Sequence, residues 1–264
     1  MSTELYKEVN YSAQINYYSG YIVEYDLRKA NISALLDRGI IDQNKYQFLH
    51  DVDKGYREFY VGNMIKFDEN IYKEIQAGII DAKRMFVELN NIQDEEILEI
   101  RNDAIFILTD RPMIEQVNSH YYFAKKNSYT FFIKFFNGNE FFYRYDTMSN
   151  SDTIEVKGIS DENVALHQNY IIKFIADTIF GIQQNNIENV ISDCNIFYQK
   201  YINRMLPIEY YREFNSTSCY RLFFSCAIPN ASQDNIDAVD IRYNLGIIRN
   251  VISVVDNIYF QKLR

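Results

Sequence analysis

Two short apolar runs flank a polar turn in Glu99-Ile100-Arg101-Asn102-Asp103-Ala104-Ile105-Phe106-Ile107-Leu108. Ile97, Leu98 and Ile100 precede the turn and Ile105, Phe106, Ile107 and Leu108 follow it; short runs rich in β-branched and large apolar residues favour strands. Asn102-Asp103 stands where a tight hairpin turns, and both residue types tolerate turn geometry. Upstream, Tyr21-Ile22-Val23-Glu24-Tyr25-Asp26 reads as a strand ending in an acid. The residues after it place apolar side chains at 27, 32, 35 and 36, a helical face that stops near Arg38-Gly39. A second short helix is expected over Ile41 to His50, with Asp42 as its cap, and Tyr56 to Ile65 fits helix or strand. From Asp68 or Glu69 to Asn90 the apolar residues at 71, 75, 79, 82, 86 and 89 predict a long helix.

Pro112 ends the hairpin region, since proline cannot continue a central ladder. Aromatic runs at 121–123, 129–136 and 141–145 follow, and Asn137-Gly138 between them is a strong hairpin signal. They read as a meander with one buried aromatic face. The interleaved Lys125, Lys126, Lys134 and Arg144 also fit a surface that stacks and neutralises a single strand. Ile154 to Ile159 reads as a further strand, Asp161 to Leu206 as helical up to Pro207, and Asp240 to Lys262 as an apolar helix. Residues 1–19 read as a polar lead-in. The expected fold class is α+β, an antiparallel sheet with helices in residues 1–160 and a mostly helical part in residues 161–264.

A carboxylate at a strand end and another at a hairpin turn, with helices between, can be brought side by side on one sheet. Two carboxylates so placed repel each other and attract a hard divalent cation; Mg²⁺ is usually held by one or two carboxylates plus substrate phosphates. At these residues the sequence resembles the palm domain of nucleic-acid polymerases. The strand, aspartate and helix of the first acidic motif match Glu24-Tyr25-Asp26-Leu27-Arg28-Lys29-Ala30-Asn31-Ile32-Ser33, and the acidic hairpin matches Arg101-Asn102-Asp103-Ala104-Ile105-Phe106. Gly78 to Leu89 resembles the helix before that hairpin in bacterial and phage-type DNA polymerases, and Glu155-Val156-Lys157-Gly158-Ile159 echoes a Lys-X-Lys-Gly-like strand of the other large DNA polymerase family. The similarity spans residues 20 to 160 in short motifs.

The resemblance implies a palm-like sheet and two-metal phosphoryl transfer, with Mg²⁺ or Mn²⁺ held by Asp26 and Asp103 and Glu24 or Asn102 assisting. It implies nucleotide or nucleic-acid contacts from Arg28, Lys29, Asn31, Lys83, Arg84 and Lys157, and nucleoside triphosphates and a nucleic-acid primer as partners. The sequence departs from the pattern at the hairpin, where Asn102 precedes Asp103 and Ala104 follows it, so the usual second acid is missing. Lys83 and Arg84 are the nearest substitutes for a nucleotide-binding fingers motif, and Asn31 stands near the position where many DNA polymerases carry the aromatic that tests the sugar.

Composition narrows the remaining classes. Hydrophobic residues make up 47% of the 264 and charged residues 24%, which supports a globular chain rather than a disordered one. Tyr is used 23 times and Phe 19 times, with no Trp; with frequent Ile, Asn and Lys, this bias fits an AT-rich genome such as a phage's. A net charge of −9 argues against a general nucleic-acid binder and leaves room for a protein partner that supplies such contacts. No apolar run approaches the roughly 20 residues of a membrane span. Cys194, Cys219 and Cys226 have no paired spacing and read as reduced, hence a cytoplasmic protein, and the three histidines form no zinc pattern. Nucleophile elbows and phosphate-cradling glycine loops are absent from the sequence. Two readings result: a phage-type DNA polymerase-like nucleotidyltransferase, or an inactive palm-derived structural or replication-associated binding subunit.

Overall fold

The computed structural model describes residues 4–214, 236 and 238–263. Its strands are β1 (Asn10–Ser12), β2 (Tyr17–Leu27), β3 (Ile97–Arg101), β4 (Ala104–Ile107), β5 (Phe123–Lys134), β6 (Glu140–Asp146) and β7 (Ser151–Lys157). Its helices are α1 (Ala30–Asp37), α2 (Gln43–Asp51), α3 (Lys54–Phe67), α4 (Asn70–Leu89), α5 (Asp161–His167), α6 (Ile171–Gln183), α7 (Ile187–Ile202) and α8 (Ala238–Lys262). The strands follow the order β1-β3-β4-β2-β5-β6-β7. The fold class is α+β, with a helical C-terminal part, as the sequence led one to expect.

Two compact units divide the chain. The first holds Met1–Gln14 and Gly20–Ser128, the second Ile15–Ser19 and Tyr129–Arg264. Position 160, where the composition changes, therefore lies inside the second unit. In the first unit the odd residues of β2, Val23, Tyr25 and Leu27, join a core with Ile32 and Leu35 of α1 and Ile75, Ile79 and Phe86 of α4. Alternation along the strand sends Glu24 and Asp26 to the opposite face. Gly78 lets α4 approach α1, because a Cβ there would stand 2.7 Å from Ala34 Cβ and 3.1 Å from Ala34 Cα. Helices α2 and α3 start where local chemistry directs: Asp42 accepts from Lys45 N at 2.7 Å, and Asp53 accepts from Tyr56 N at 2.9 Å. The Asp53 cap resolves the ambiguous Tyr56 to Ile65 stretch as helix.

In the second unit, Phe131 and Ile133 of β5 and Phe141 and Tyr143 of β6 pack with the buried residues of α6, α7 and α8. Phe132 and Phe142 pack together on the alternate positions with centroids 5.0 Å apart, and the Tyr129 ring also lies against Phe142, at 5.1 Å; all three are buried. The meander is thus buried on both faces rather than one, so these rings are not displayed for stacking on a single strand. Asn137-Gly138 turns it, with Gly138 at φ 88°. Residues 10–12 and 17–19 are strand rather than lead-in: β1 pairs with β3, and its partly exposed outer position tolerates the polar residues that hid it from pattern reading. Tyr220 to Phe224, Cys219 and Cys226 lie outside the described residues. Cys194 is buried, and burial pushes its thiol up to about 11. Among the described residues no helix is long and apolar enough to cross a membrane.

Candidate active site

Strand order decides the position of the two aspartates. β2 pairs antiparallel with β4, with Asp26 opposite Ala104, and Leu27 N donates to Asp103 O at 3.0 Å. The acid at the end of β2 and the acid in the β3–β4 turn therefore share one end of neighbouring strands. The turn is two residues long between the paired Arg101 and Ala104. Asn102 takes φ 47°, a left-handed conformation that Asn tolerates, and its N–H donates to Val9 O at 2.6 Å. The N-terminal segment thus holds the acidic turn in place.

Glu24 and Asp26 lie two residues apart on one face of β2, and Lys126 of β5 reaches both. Its Nζ is 3.3 Å from Glu24 Oε1 and 3.8 Å from Asp26 Oδ2. Asn127 Nδ2 donates to Glu24 Oε2 at 2.8 Å. Glu24 is only 1% exposed, so this pairing offsets the cost of burying its charge. Burial raises the proton affinity of Asp103 above that of an ordinary aspartate, against the opposing effects of its own backbone N–H and the charges of Lys126, Lys83 and Lys54. Lys83, on α4, is itself 1% exposed and donates to Glu8 O at 2.6 Å. Burial pushes its ammonium down to about 8, with Asp103 and Glu8 acting in the other direction.

Beside the acids opens a cavity of about 450 Å³ whose walls include Asp26, Asp103, Arg28, Lys29, Lys54 and Arg57. Asn31 also lines it. The cations come from two elements, the β2–α1 turn and the first turn of α3. Lys29 takes φ 52° and donates to His50 O at 2.6 Å. Arg57 Nη1 donates to Val52 O at 3.3 Å, and the Arg28 guanidinium lies over the Tyr122 ring at 5.0 Å. Burial lowers the pKa of Lys29, and the charges of Arg57 and Arg28 add to the effect against Asp51. Such mutual repulsion is relieved by an anion.

Of the residues singled out in the sequence, Asp26, Asp103, Arg28, Lys29 and Asn31 meet at this cavity. Glu24 lies behind Asp26, and Lys83 lies beneath Asp103 with its amine committed to a carbonyl. Arg84 pairs with Asp81 at 3.1 Å, away from the cavity lining, and Lys157 pairs with Glu155 on β7 in the second unit. From the sequence, Lys54 and Arg57 (with Lys66) could face a phosphate but read more simply as solvated surface near a turn, Lys126 belongs to the basic-aromatic pattern of the meander rather than to the acids, and Asn127 carries no signal. The Asp53 cap carries a signal for the first two, since it starts a helix that sets Lys54 and Arg57 one turn apart; nothing local places Lys126 beside Glu24 and Asp26.

Comparison with curated proteins gave no match. The family description for Bacteriophage PBS1 gene 130 protein matches residues 1–257. The chain that carries this acid pair and its basic cavity belongs to the bacteriophage PBS1 gene 130 protein family.

Proposed function

We propose that the first unit of this phage-family protein is a palm-like nucleotidyltransferase centre that acts on nucleoside triphosphates and a nucleic-acid primer. The observation that carries the reading is the β2–β4 pairing, which sets Asp26 beside the Asp103 turn on the wall of a basic cavity. The donor set fits a hard divalent cation: two carboxylates at one strand end, with phosphate-binding cations next to them. Asp26 and Asp103 would hold Mg²⁺ or Mn²⁺, which when bound supplies Lewis acidity and charge stabilisation for phosphoryl transfer.

The rest of the chemistry belongs to the chain's own side chains. Arg28, Lys29, Lys54 and Arg57 bind the negative phosphates and orient the triphosphate along the cavity. Lys126 holds Glu24 and Asp26 in place. The test is Mn²⁺-dependent incorporation of labelled nucleotides on primed DNA and RNA templates, comparing the wild type with Asp26→Asn and Asp103→Asn, each with an unchanged circular dichroism spectrum. Loss of incorporation in both variants is expected. A wild type inert on every primer and template overturns the proposal.

One observation favours a second reading, the inactive binding subunit that works through a protein partner. The hairpin carries a single acid, and both Glu24 oxygens already have partners in Lys126 and Asn127. Triphosphate binding without incorporation supports that reading.

A further inference from the structure

Lys126 sets an ammonium within ion-pair distance of Glu24 and Asp26. It approaches Glu24 Oε1 to 3.3 Å and Asp26 Oδ2 to 3.8 Å, and its charge acts on Asp103. The other two lysines whose charges reach Asp103 have contacts of their own, Lys83 with Glu8 O at 2.6 Å and Lys54, exposed on the cavity wall, with Glu58 at 3.5 Å. The Asn102-Asp103-Ala104 turn contributes one carboxylate, and Asn127 covers the far oxygen of Glu24. The charges of Glu24, Asp26 and Asp103, offset by the half-exposed ammonium of Lys126, leave the amount that a single divalent ion neutralises.

We infer that Lys126 is the resident cation of this centre, supplying the positive charge of a second metal, so that Asp26 and Asp103 take one divalent ion rather than two. The inference rests on the metal-binding reading above. An ammonium is compact and strongly hydrated. Held by buried Glu24, it costs no ordering when the divalent ion arrives, but its repulsion limits how tightly that ion is held. Lys126 is thus a positioning residue whose charge sets both the number of ions bound and their affinity.

The experiment is calorimetric titration of MnCl₂ alone into the full chain, without nucleotide, for the wild type, Asp103→Asn, Lys126→Gln, Lys126→Arg and Glu24→Gln, with thermal melts to confirm folding. The wild type is expected to bind one Mn²⁺ per chain, and Asp103→Asn to lose it. Lys126→Gln should bind Mn²⁺ about tenfold more tightly, or take a second ion, while Lys126→Arg stays at one; the size is set by a charge a few ångströms away, discounted for solvent screening. Glu24→Gln should shift affinity the other way, because the freed ammonium turns to Asp26, and this arm stands even where Lys126→Gln fails to fold. Two ions in the wild type overturn the role of Lys126 and leave the metal reading intact, as does unchanged binding in both Lys126→Gln and Glu24→Gln. No Mn²⁺ bound by any variant overturns the metal reading and the inference with it.

Discussion

Lys83 shows how one residue's burial can be read against the site it supports. The side chain lies in the helical stripe of α4 yet ends on Glu8 O, so its amine ties that helix to the N-terminal segment, whose Val9 carbonyl accepts from the Asn102 N–H of the acidic turn. Its folded pKa of about 8 lies below the ordinary lysine value of 10.5. Below the folded value the charged amine costs stability, and above the unfolded value neither state is charged and the cost is gone. Stability should therefore rise between about pH 8 and 10.5. Urea denaturation at pH 7.5 and pH 9.5 should show this rise in the wild type, and Lys83→Met should flatten it. A variant with the wild-type slope would assign the pH dependence to other groups.

Among the elements, α1 and α4 bear most directly on the site, because α1 begins four residues after Asp26 and α4 fixes its angle through Gly78. Gly78→Ala improves helix propensity by roughly 1 kcal/mol but drives a methyl against Ala34 Cβ and the Tyr121 hydroxyl. Since overpacking costs about 1–3 kcal/mol, the variant should be destabilised on balance, with a lower melting temperature and a disturbed β2–α1 turn. A melting temperature above that of the wild type would show that α1 yields freely. Most of these elements were legible locally. The Asp42 cap, the stop at Gly39 with φ 68°, the Asn-Gly turn and the apolar stripes of α4 and α8 each act within a turn or two of chain, whereas Asp53, which reads as part of a turn, caps α3 in the fold. β1 was not legible, because a three-residue edge strand carries no period and owes its state to β3.

At the scale of the molecule, the overall charge of −9 contrasts with a cavity that gathers Arg28, Lys29, Lys54 and Arg57. An anionic ligand is repelled by the body as a whole and attracted at this cavity, so affinity depends on a few close contacts. Binding of inorganic tripolyphosphate should weaken about tenfold in Arg57→Gln, as removal of one charged hydrogen bond implies. It should also weaken as NaCl is raised, because exposed charge is screened. Tripolyphosphate binding equal in wild type and Arg57→Gln would place the anion elsewhere.

The sequence by itself determined the strand and helix periods, the Asp42 cap, the tight turns and the presence of an acid at one strand end and another at a hairpin turn. These follow from backbone preferences and side-chain spacing, which act between near neighbours in the chain. Only the tertiary structure decided that β4 lies next to β2, so that Asp26 and Asp103 share one strand end. It also decided that Lys126 reaches Glu24 and Asp26, that Lys54 and Arg57 join the cavity while Arg84 and Lys157 do not, and that the meander is buried on both faces. Those outcomes depend on which strands pair and which faces helices cover, and such choices are settled by burial and hydrogen bonding summed over residues far apart in sequence, where no local pattern records them.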